Sequence, residues 1–255
     1  ATVVMICHDK QKGIIAQNDI ATKTNSDSLE LLVTDLASQN AVRQAVHKFK
    51  SRHSRIDVIV NNAAVLLEHR QETEDGVEKT YAVNYLSHFL LTNLLLDLLE
   101  ESAPSRVINV TSSLHANVTL DLDDLQSTQN YEELNAYGRS KLANVMFTYE
   151  LARRIIDTGI TSNCVYPGLV STNLAKNASD TFRRYWAKLG KSMVNPEKGA
   201  ETVLYLASSP RLKQVTGLHF ANCHPTESST ESYDTRIANK LWKISASQVG
   251  MNMSL

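Results

Sequence analysis

The chain is poor in cysteine. Its three cysteines, Cys7, Cys164 and Cys223, lie far apart in 255 residues and form no Cys-x-x-Cys pair. An odd, scattered set argues against a disulfide framework and against a cysteine zinc site. The sequence therefore predicts no metal site and favours a reducing compartment.

An excess of one charge is also missing. The chain carries 26 basic and 27 acidic side chains, which leaves a formal net charge of −1. Nucleic-acid binding normally depends on a strong positive charge facing the phosphates. We therefore expect no nucleic-acid partner.

Long hydrophobic runs are missing as well. The most apolar stretch, from Leu86 to Leu99, includes His88, Asn93 and Asp97. A membrane-spanning helix needs about 18 or more consecutive apolar residues. The stretch is instead typical of a helix in a protein core.

Glycine is scarce and widely spaced. No two of the nine glycines lie closer than nine positions. A glycine-rich phosphate loop needs several glycines close together, because backbone N–H groups must surround the phosphate. The sequence therefore contains no such loop.

What the chain does have is a regular alternation of apolar β-rich runs with helical patterns. Buried strands are predicted near residues 2–7, 29–33, 56–60, 106–110, 161–165 and 218–220, and helices near 10–24, 38–53, 75–101, 132–157 and 196–208. This alternation predicts an α/β fold with a doubly wound parallel sheet of the Rossmann type. We expect one domain over residues 1–255. Its least constrained part is 228–255, with one helix near 233–244.

Small or polar residues follow nearly every predicted strand. In an open parallel sheet the ligand lies beyond the carboxyl ends of the strands. The distribution therefore favours a cofactor cleft at that edge. The residues concerned are Cys7–Asp9, Asp35–Leu36, Asn61–Ala64, Thr111–Ser113 and Pro167–Gly168.

Tyr137 and Lys141 lie four positions apart on a predicted helix and so share one face. A phenol has an ordinary pKa of about 10, and a nearby ammonium group can lower that pKa by about 1–3 units. A serine hydroxyl could then hold a substrate oxygen beside the phenol. Such a site can move a proton to or from an alcohol. The spacing alone is weak evidence, because it also arises by chance.

With its surroundings, the pair resembles the short-chain dehydrogenase/reductase family. The segments Val83–Thr92, Asp124–Ser127 and Tyr137–Phe147 are most similar to its retinol dehydrogenase-like branch. The motifs occur in the family's order and spacing from residue 1 to about 222. They are Asp35–Leu36, Asn61–Ala64, Asn84, Val107–Ser113, Tyr137–Lys141 and Pro167–Thr172.

The resemblance implies four catalytic residues. Tyr137 would donate or accept the proton, and Lys141 would bind the nicotinamide ribose and lower the pKa of Tyr137. Ser113, rather than Ser112, would orient the substrate oxygen. Asn84 would distort its helix and bind a water in a proton relay through Lys141. The alternative role for Asn84 is that of a polar helix residue that caps a neighbouring element.

The resemblance also implies a nicotinamide cofactor. NADP(H) is favoured by the basic residues near the end of the first strand, although the branch usually has Arg where this chain has His8, and NAD is the alternative. Asp35 would contact the adenine, unless it serves only as a helix N-terminal charge. The full expected cofactor set is His8, Asp35, Leu36, Asn61, Ala63, Tyr137, Lys141, Pro167, Gly168, Val170 and Thr172.

The family's first strand and glycine-rich loop would precede residue 1. That strand is central in the family's sheet, so residues 2–7 and 29–33 are expected to lack a partner joining them to 56–60. The sequence is expected to be a fragment of a normal enzyme. The alternative is a genuine short form with impaired cofactor binding.

Residues 180–193 mix aromatic and basic side chains. The segment is expected to cover a lipophilic substrate, such as a retinoid, polyprenoid or steroid. Contact with a membrane surface and an ordinary surface helix are the alternatives. A homodimer through the helices 75–101 and 132–157 is a further expectation. Localisation is left open between the cytoplasm and the endoplasmic reticulum membrane.

The leading functional hypothesis is hydride transfer between NADP(H) and an alcohol or carbonyl of a lipophilic molecule. A non-catalytic binding or interaction protein on the same fold is the second hypothesis. An epimerase or dehydratase that uses the same Tyr–Lys pair is the third.

Overall fold

The computed structural model describes residues 1–251. Strands and helices alternate along most of the chain, as the sequence predicts. The strands are β1 (Val3–Cys7), β2 (Leu29–Val33), β3 (Val58–Asn61), β4 (Ser105–Val110), β5 (Ile160–Val165), β6 (His219–Ala221) and β7 (His224–Thr226). The helices are α1 (Lys10–Thr24), α2 (Gln39–Lys50), α3 (Lys79–Tyr81), α4 (Ser87–Leu94), α5 (Leu96–Glu101), α6 (Glu133–Arg154), α7 (Asp180–Leu189), α8 (Pro196–Ser208) and α9 (Thr235–Gln248).

The strands form two separate sheets. β1 and β2 pair in parallel, and a second sheet has the order β3-β4-β5-β6-β7. Within residues 1–251 no strand joins β1 to β3. The second sheet is parallel from β3 to β6, and β7 adds an antiparallel edge that the sequence analysis missed.

The central strands of the second sheet are almost completely buried, polar residues included. Every residue of β5 is buried, and so is all of β4 except Arg106. Helices cover both faces of such a sheet, so its strands have no solvent side. The fold is thus the predicted α/β doubly wound type.

Several helix starts follow from local sequence. The Ser38 hydroxyl accepts from the Ala41 N–H at the start of α2, and the Asn195 side chain accepts from the Lys198 N–H at the start of α8. Pro196 fills the first position of α8, where no backbone N–H is needed. These caps fix the entry points of two helices that cover the sheets.

The expected long helix over residues 75–101 is interrupted. It consists of α3, a π-helical segment at Ala82–Leu86, α4 and α5, with a break at Leu95. The π-helical segment contains Asn84. The sequence expectation that Asn84 lies in distorted helix therefore agrees with the structure.

The C-terminal region is more firmly packed than we expected. Leu241 and Trp242 of α9 belong to the main hydrophobic core. The Trp242 ring lies 5.0 Å from the Phe89 ring and 5.7 Å from the Phe147 ring, measured between centroids. Within the described residues no helix is both long and apolar enough to cross a membrane.

Candidate active site

The register of the parallel strands brings the predicted polar residues to one edge. Asn61 pairs with Asn109 at the ends of β3 and β4, and Val110 pairs with Val165 at the ends of β4 and β5. Because these strands run in parallel, the segments that follow their carboxyl ends emerge on the same side of the sheet. The loops at 62–65, 111–117 and 166–172 therefore lie along one edge.

Tyr137 lies near the start of α6 and is buried in a small apolar cluster. Leu66, Ala175, Ala178 and Phe182 belong to the same cluster. Leu66 comes from the loop after β3, Ala175 and Ala178 come from the segment between β5 and α7, and Phe182 comes from α7 itself. The phenol is thus enclosed by apolar residues from two strand-end loops and from α7.

The serine beside Tyr137 is Ser112, not the expected Ser113. The Ser112 hydroxyl is close enough to the phenol to lower the pKa of Tyr137 by hydrogen bonding. The same hydroxyl accepts from the Leu114 N–H at 3.3 Å and caps a short 3-10 turn. Ser113 is exposed inside that turn. The expectation for Ser113 is corrected, because the turn directs the preceding side chain to the site.

Lys141 lies one helical turn beyond Tyr137 and is almost completely buried. Its Nζ atom lies 5.6 Å from the centroid of the Tyr137 ring and donates to the Val110 carbonyl oxygen at 3.0 Å. Burial lowers the pKa of Lys141 to about 8. The expected Tyr–Lys pairing on one helix face is therefore present.

The pKa of Tyr137 departs from the expectation. Burial raises the pKa of the phenol above its usual value, and the hydrogen bond with Ser112 opposes that rise only in part. The apolar cluster disfavours the charged phenolate. The expected lowering by Lys141 is absent in this structure, in which the amine bonds a backbone carbonyl.

Asn84 ties the π-helical segment to the loop after β3. Its amide accepts from the Val65 N–H at 2.7 Å and donates to the Val65 carbonyl at 2.9 Å and to the Ser140 hydroxyl at 3.1 Å. The backbone carbonyl of Asn84 accepts from the side-chain amide of Asn144 at 2.7 Å. The side chain is therefore engaged by protein groups that hold the Val65 loop.

A buried polar stripe on α6 was missed in the sequence analysis. Ser140, Asn144 and Thr148 follow one another at intervals of four, and all are fully buried. Thr148 accepts from the Asn109 amide at 2.9 Å, which links the stripe to β4. Polar residues four positions apart lie on one face of a helix, and this spacing is the sequence signal that could have revealed the stripe.

The Asn61 amide group donates hydrogen bonds within the fold. Its side chain is buried and donates to the Thr92 hydroxyl at 3.0 Å and to the Asn109 amide oxygen at 2.8 Å. It therefore braces β3 against α4 and β4. The Asn61 amide oxygen has no hydrogen-bond partner among the described residues, and Ala63 is partly exposed in the following loop. Contact of either residue with the cofactor stays a prediction.

The residues after β1 and β2 lie at the edge of the two-stranded sheet. His8 is exposed and Leu36 is partly buried. Asp35 is exposed, and one of its carboxylate oxygens accepts from the Ala37 N–H at 2.9 Å. The second carboxylate oxygen of Asp35 is left for other partners. Asp35 can therefore stabilise the local turn and still contact a cofactor.

The loop after β5 has a backbone suited to close approach by a ligand. Gly168 has a φ of +86°, and nothing lies within 4 Å of the position that a Cβ would take. Val170 is packed against Gly199, and Pro167 is partly buried. The Thr172 hydroxyl accepts from the Leu174 N–H at 3.3 Å and caps a 3-10 turn.

These residues fit the nicotinamide end of a dinucleotide. Open space beside the Gly168 backbone lies in the loop next to the one that holds Ser112, at the same edge as Tyr137 and Lys141. A planar nicotinamide ring can lie close to the backbone at this position because glycine has no side chain. Within residues 1–251 no group of three or more His, Cys, Asp and Glu side chains is arranged to hold a metal ion.

Sequence comparisons agree with the geometry. The profile of the short chain dehydrogenase family matches residues 1–182. Human retinol dehydrogenase 14 is 38% identical over 98% of this chain and 80% of its own length. Human polyprenol dehydrogenase is 38% identical over 95% of this chain and 75% of its own length.

The fold is also shared with a solved structure. A putative uncharacterized protein from Mycobacterium paratuberculosis superposes with a TM-score of 0.78 and 29% identity, over 100% of this chain and 86% of that one. By its sequence profile and its relatives, the chain belongs to the short-chain dehydrogenase family of oxidoreductases, in the retinol dehydrogenase-like branch.

Proposed function

We propose that the protein transfers hydride between a nicotinamide cofactor, preferably NADP(H), and an alcohol or carbonyl group of a lipophilic small molecule. The observation that carries this proposal is the placement of Tyr137. Its phenol lies beside the Ser112 hydroxyl, one helical turn from the Lys141 amine, and inside an apolar cluster.

The phenol is the proton donor in the direction of carbonyl reduction. Burial raises the pKa of Tyr137, so the group is protonated at neutral pH. Ser112 holds the substrate oxygen, and the phenol gives that oxygen its proton as negative charge develops there. The cofactor, when bound, supplies the hydride.

Lys141 stabilises the phenolate that remains. With a pKa of about 8, the amine carries a positive charge at neutral pH. An ammonium group near an incipient phenolate lowers the energy of proton transfer. Asn84 acts by position, since its amide fixes the Val65 loop and its carbonyl is bonded by Asn144.

The substrate class follows from the walls around Tyr137. Leu66, Ala178 and Phe182 are buried there, and Trp186 packs against them. Such walls favour an apolar molecule with one polar group that reaches the phenol. Retinol and polyprenol dehydrogenases among the relatives point to the same chemistry.

We assign α7 the role of a cover over the substrate. Phe182 and Trp186 face the cluster that contains Tyr137, whereas Arg184 and Lys188 are exposed on the same helix. One helix thus presents Phe182 and Trp186 to the site and two basic side chains to the solvent. Replacing Trp186 by Ala is expected to raise KM for apolar substrates more than it lowers kcat.

The preference for NADP(H) rests on the segment after β1. His8 and Lys10 are exposed there, and the Asp9 carboxylate is engaged in capping α1 through the Lys12 N–H at 3.0 Å. Cations favour a 2′-phosphate, whereas a free carboxylate favours a 2′-hydroxyl. His8→Arg is expected to lower KM for NADPH about tenfold and to leave KM for NADH unchanged. A similar gain for NADH would contradict this preference.

Hydride tracing is the direct test of the reaction class. Purified protein is incubated with NADPH in which both hydrogens at nicotinamide C4 are replaced by deuterium, and with retinal as the carbonyl probe. Deuterium on the carbinol carbon of the product supports the proposal. Conversion without deuterium transfer would indicate an epimerase or dehydratase type of chemistry, and no conversion would contradict the proposed reaction.

A second candidate is a non-catalytic binding protein on the same fold. Calorimetric titration with NADPH separates the candidates. Heat of binding supports the oxidoreductase, and its absence together with an unchanged Tm supports the second candidate.

A further inference from the structure

His115 is a buried histidine three residues after Ser112, and the proposed reaction gives it no role. It is 4% exposed. Its Nδ1 atom lies 2.6 Å from the Ser112 carbonyl oxygen, and its Nε2 atom accepts from the Ser229 N–H at 3.1 Å. One imidazole thus joins the turn of the active-site serine to a segment more than a hundred residues away in sequence.

These two contacts determine the tautomer of the imidazole. A backbone N–H can only donate, so Nε2 must carry a lone pair. The proton of a neutral ring is then on Nδ1, which donates to the Ser112 carbonyl. Burial lowers the pKa of His115, which agrees with a neutral ring.

The Ser112 backbone is restrained from several directions by this arrangement. Its carbonyl oxygen accepts from the His115 backbone N–H at 3.2 Å as well as from the ring. Its hydroxyl accepts from the Leu114 N–H at 3.3 Å. The direction of the hydroxyl therefore depends on a turn that the imidazole closes.

The other side of the ring holds residues 226–233. Within this segment the Ser228 hydroxyl hydrogen-bonds the Tyr149 phenol at 2.7 Å. A second histidine, His219, packs with its ring centroid 5.4 Å from that of His115 and lies 3.3 Å from the Thr226 hydroxyl. The segment is thus attached to α6, to the sheet and to the serine turn.

We propose that His115 is a positioning residue with two separable functions. Its Nδ1–H holds Ser112 in the orientation that meets Tyr137, and its Nε2 atom anchors residues 226–233. The catalytic part of this inference rests on the proposed function. The structural part does not, because both contacts exist without any reaction.

Two isosteric substitutions separate the functions. Asn places an amide N–H near the position of Nδ1, and Gln places an amide oxygen near the position of Nε2. His115→Asn is expected to keep kcat within about threefold, and His115→Gln to lower kcat about tenfold or more with little change in KM. Amide hydrogen exchange, measured by NMR on the full chain, gives the matching structural readout.

The exchange pattern should be reciprocal. We expect the Leu114 amide to stay protected in the Asn variant and to lose protection in the Gln variant. The Ser229 amide should lose protection in the Asn variant and keep it in the Gln variant. Failure of the wild-type protein to turn over a substrate would contradict the proposed function but would leave this exchange test valid.

Several results would overturn the inference. Equal loss of kcat in both variants, or retention of kcat in the Gln variant, would show that Nδ1 does not position Ser112. Equal exchange rates at Leu114 and Ser229 in both variants would show that the two faces of the ring are not separable. A wild-type nitrogen spectrum with the proton on Nε2 would contradict the tautomer.

Discussion

At the scale of single residues, Ser112 and Ser113 provide a test position and a matched control position. They are adjacent hydroxyls, but Ser112 lowers the pKa of the Tyr137 phenol by hydrogen bonding, whereas Ser113 is exposed. Ser112→Ala is expected to lower kcat/KM about 100-fold, because the substrate oxygen loses a hydrogen-bond donor. Ser113→Ala should change it less than about threefold.

The same assay decides between the two serines. A large loss in Ser113→Ala with normal activity in Ser112→Ala would reinstate the assignment that the sequence suggested. Thermal unfolding of both variants serves as the control, since the Ser112 hydroxyl also caps a turn.

Lys141 illustrates a conflict between stability and activity. Its pKa falls from 10.5 to about 8 because the charged amine is buried. Between these two pH values the unfolded chain binds a proton that the folded chain lacks, so the free energy of unfolding rises with pH across that window. Below about pH 8 the full penalty is present, on the order of 3 kcal/mol.

We therefore expect Lys141→Met to unfold at higher urea concentration than the wild type at pH 7, by about 2 kcal/mol, while losing activity. The difference should shrink as the pH approaches 10. Urea titrations at pH 7 and pH 10 test this. A Met variant that is less stable than the wild type at pH 7 would contradict the burial of a charged amine.

At the scale of elements, α9 shows how tertiary packing makes a terminal helix part of the core. Trp242 is buried against Phe89 and Phe147, and the Arg154 guanidinium lies 4.5 Å from its ring centroid. Trp242→Ala is expected to lower the free energy of unfolding by about 3–5 kcal/mol.

A neighbouring position on α9 provides the control. Lys243 is exposed, so Lys243→Ala should change the free energy of unfolding by less than about 0.5 kcal/mol. Urea unfolding of the two variants measures both effects. Similar stabilities of the Trp242 and Lys243 variants would contradict the packing of α9.

Element boundaries were predictable where the signal is local. Ser38 and the Asn195–Pro196 pair mark helix starts by hydrogen-bonding rules that need no tertiary information. The interruption at Ala82–Leu86 was expected at Asn84 from the family resemblance alone. Three-residue β7 carries too short a pattern for its antiparallel pairing to be read from sequence.

The active-site details required the folded structure. The choice between Ser112 and Ser113 depends on the residue at which the 3-10 turn begins, and the periodicity of the strand does not specify that residue. The pKa of Tyr137 depends on the apolar cluster that several distant segments build around it. Asn61 was expected at the cofactor, but its partners Thr92 and Asn109 are visible only in three dimensions.

At the scale of the whole molecule, the break in the sheet divides the chain into regions of different burial. In β1 and β2 only Leu32 is buried, whereas all of β5 is. The exposed fractions of Val3 and Val60 are 47% and 41%. Strands with solvent-accessible edges and few buried side chains open more readily than core strands.

We therefore expect amides in residues 3–7 and 29–33 to exchange faster than those in 160–165. The difference should correspond to an opening free energy lower by about 2 kcal/mol or more. Hydrogen exchange followed by mass spectrometry of peptides from these strands measures it. Equal protection in the two sheets would contradict the structural separation.

In the proposed reaction the Tyr137 phenol transfers the proton that accompanies hydride transfer. The most direct measurement is kcat/KM of Tyr137→Phe beside the wild type, with an apolar carbonyl substrate, NADPH and matched Tm values. We expect a loss of about 1,000-fold with the fold intact, because Phe keeps the ring but has no proton to give. Turnover equal to that of the wild type would contradict it.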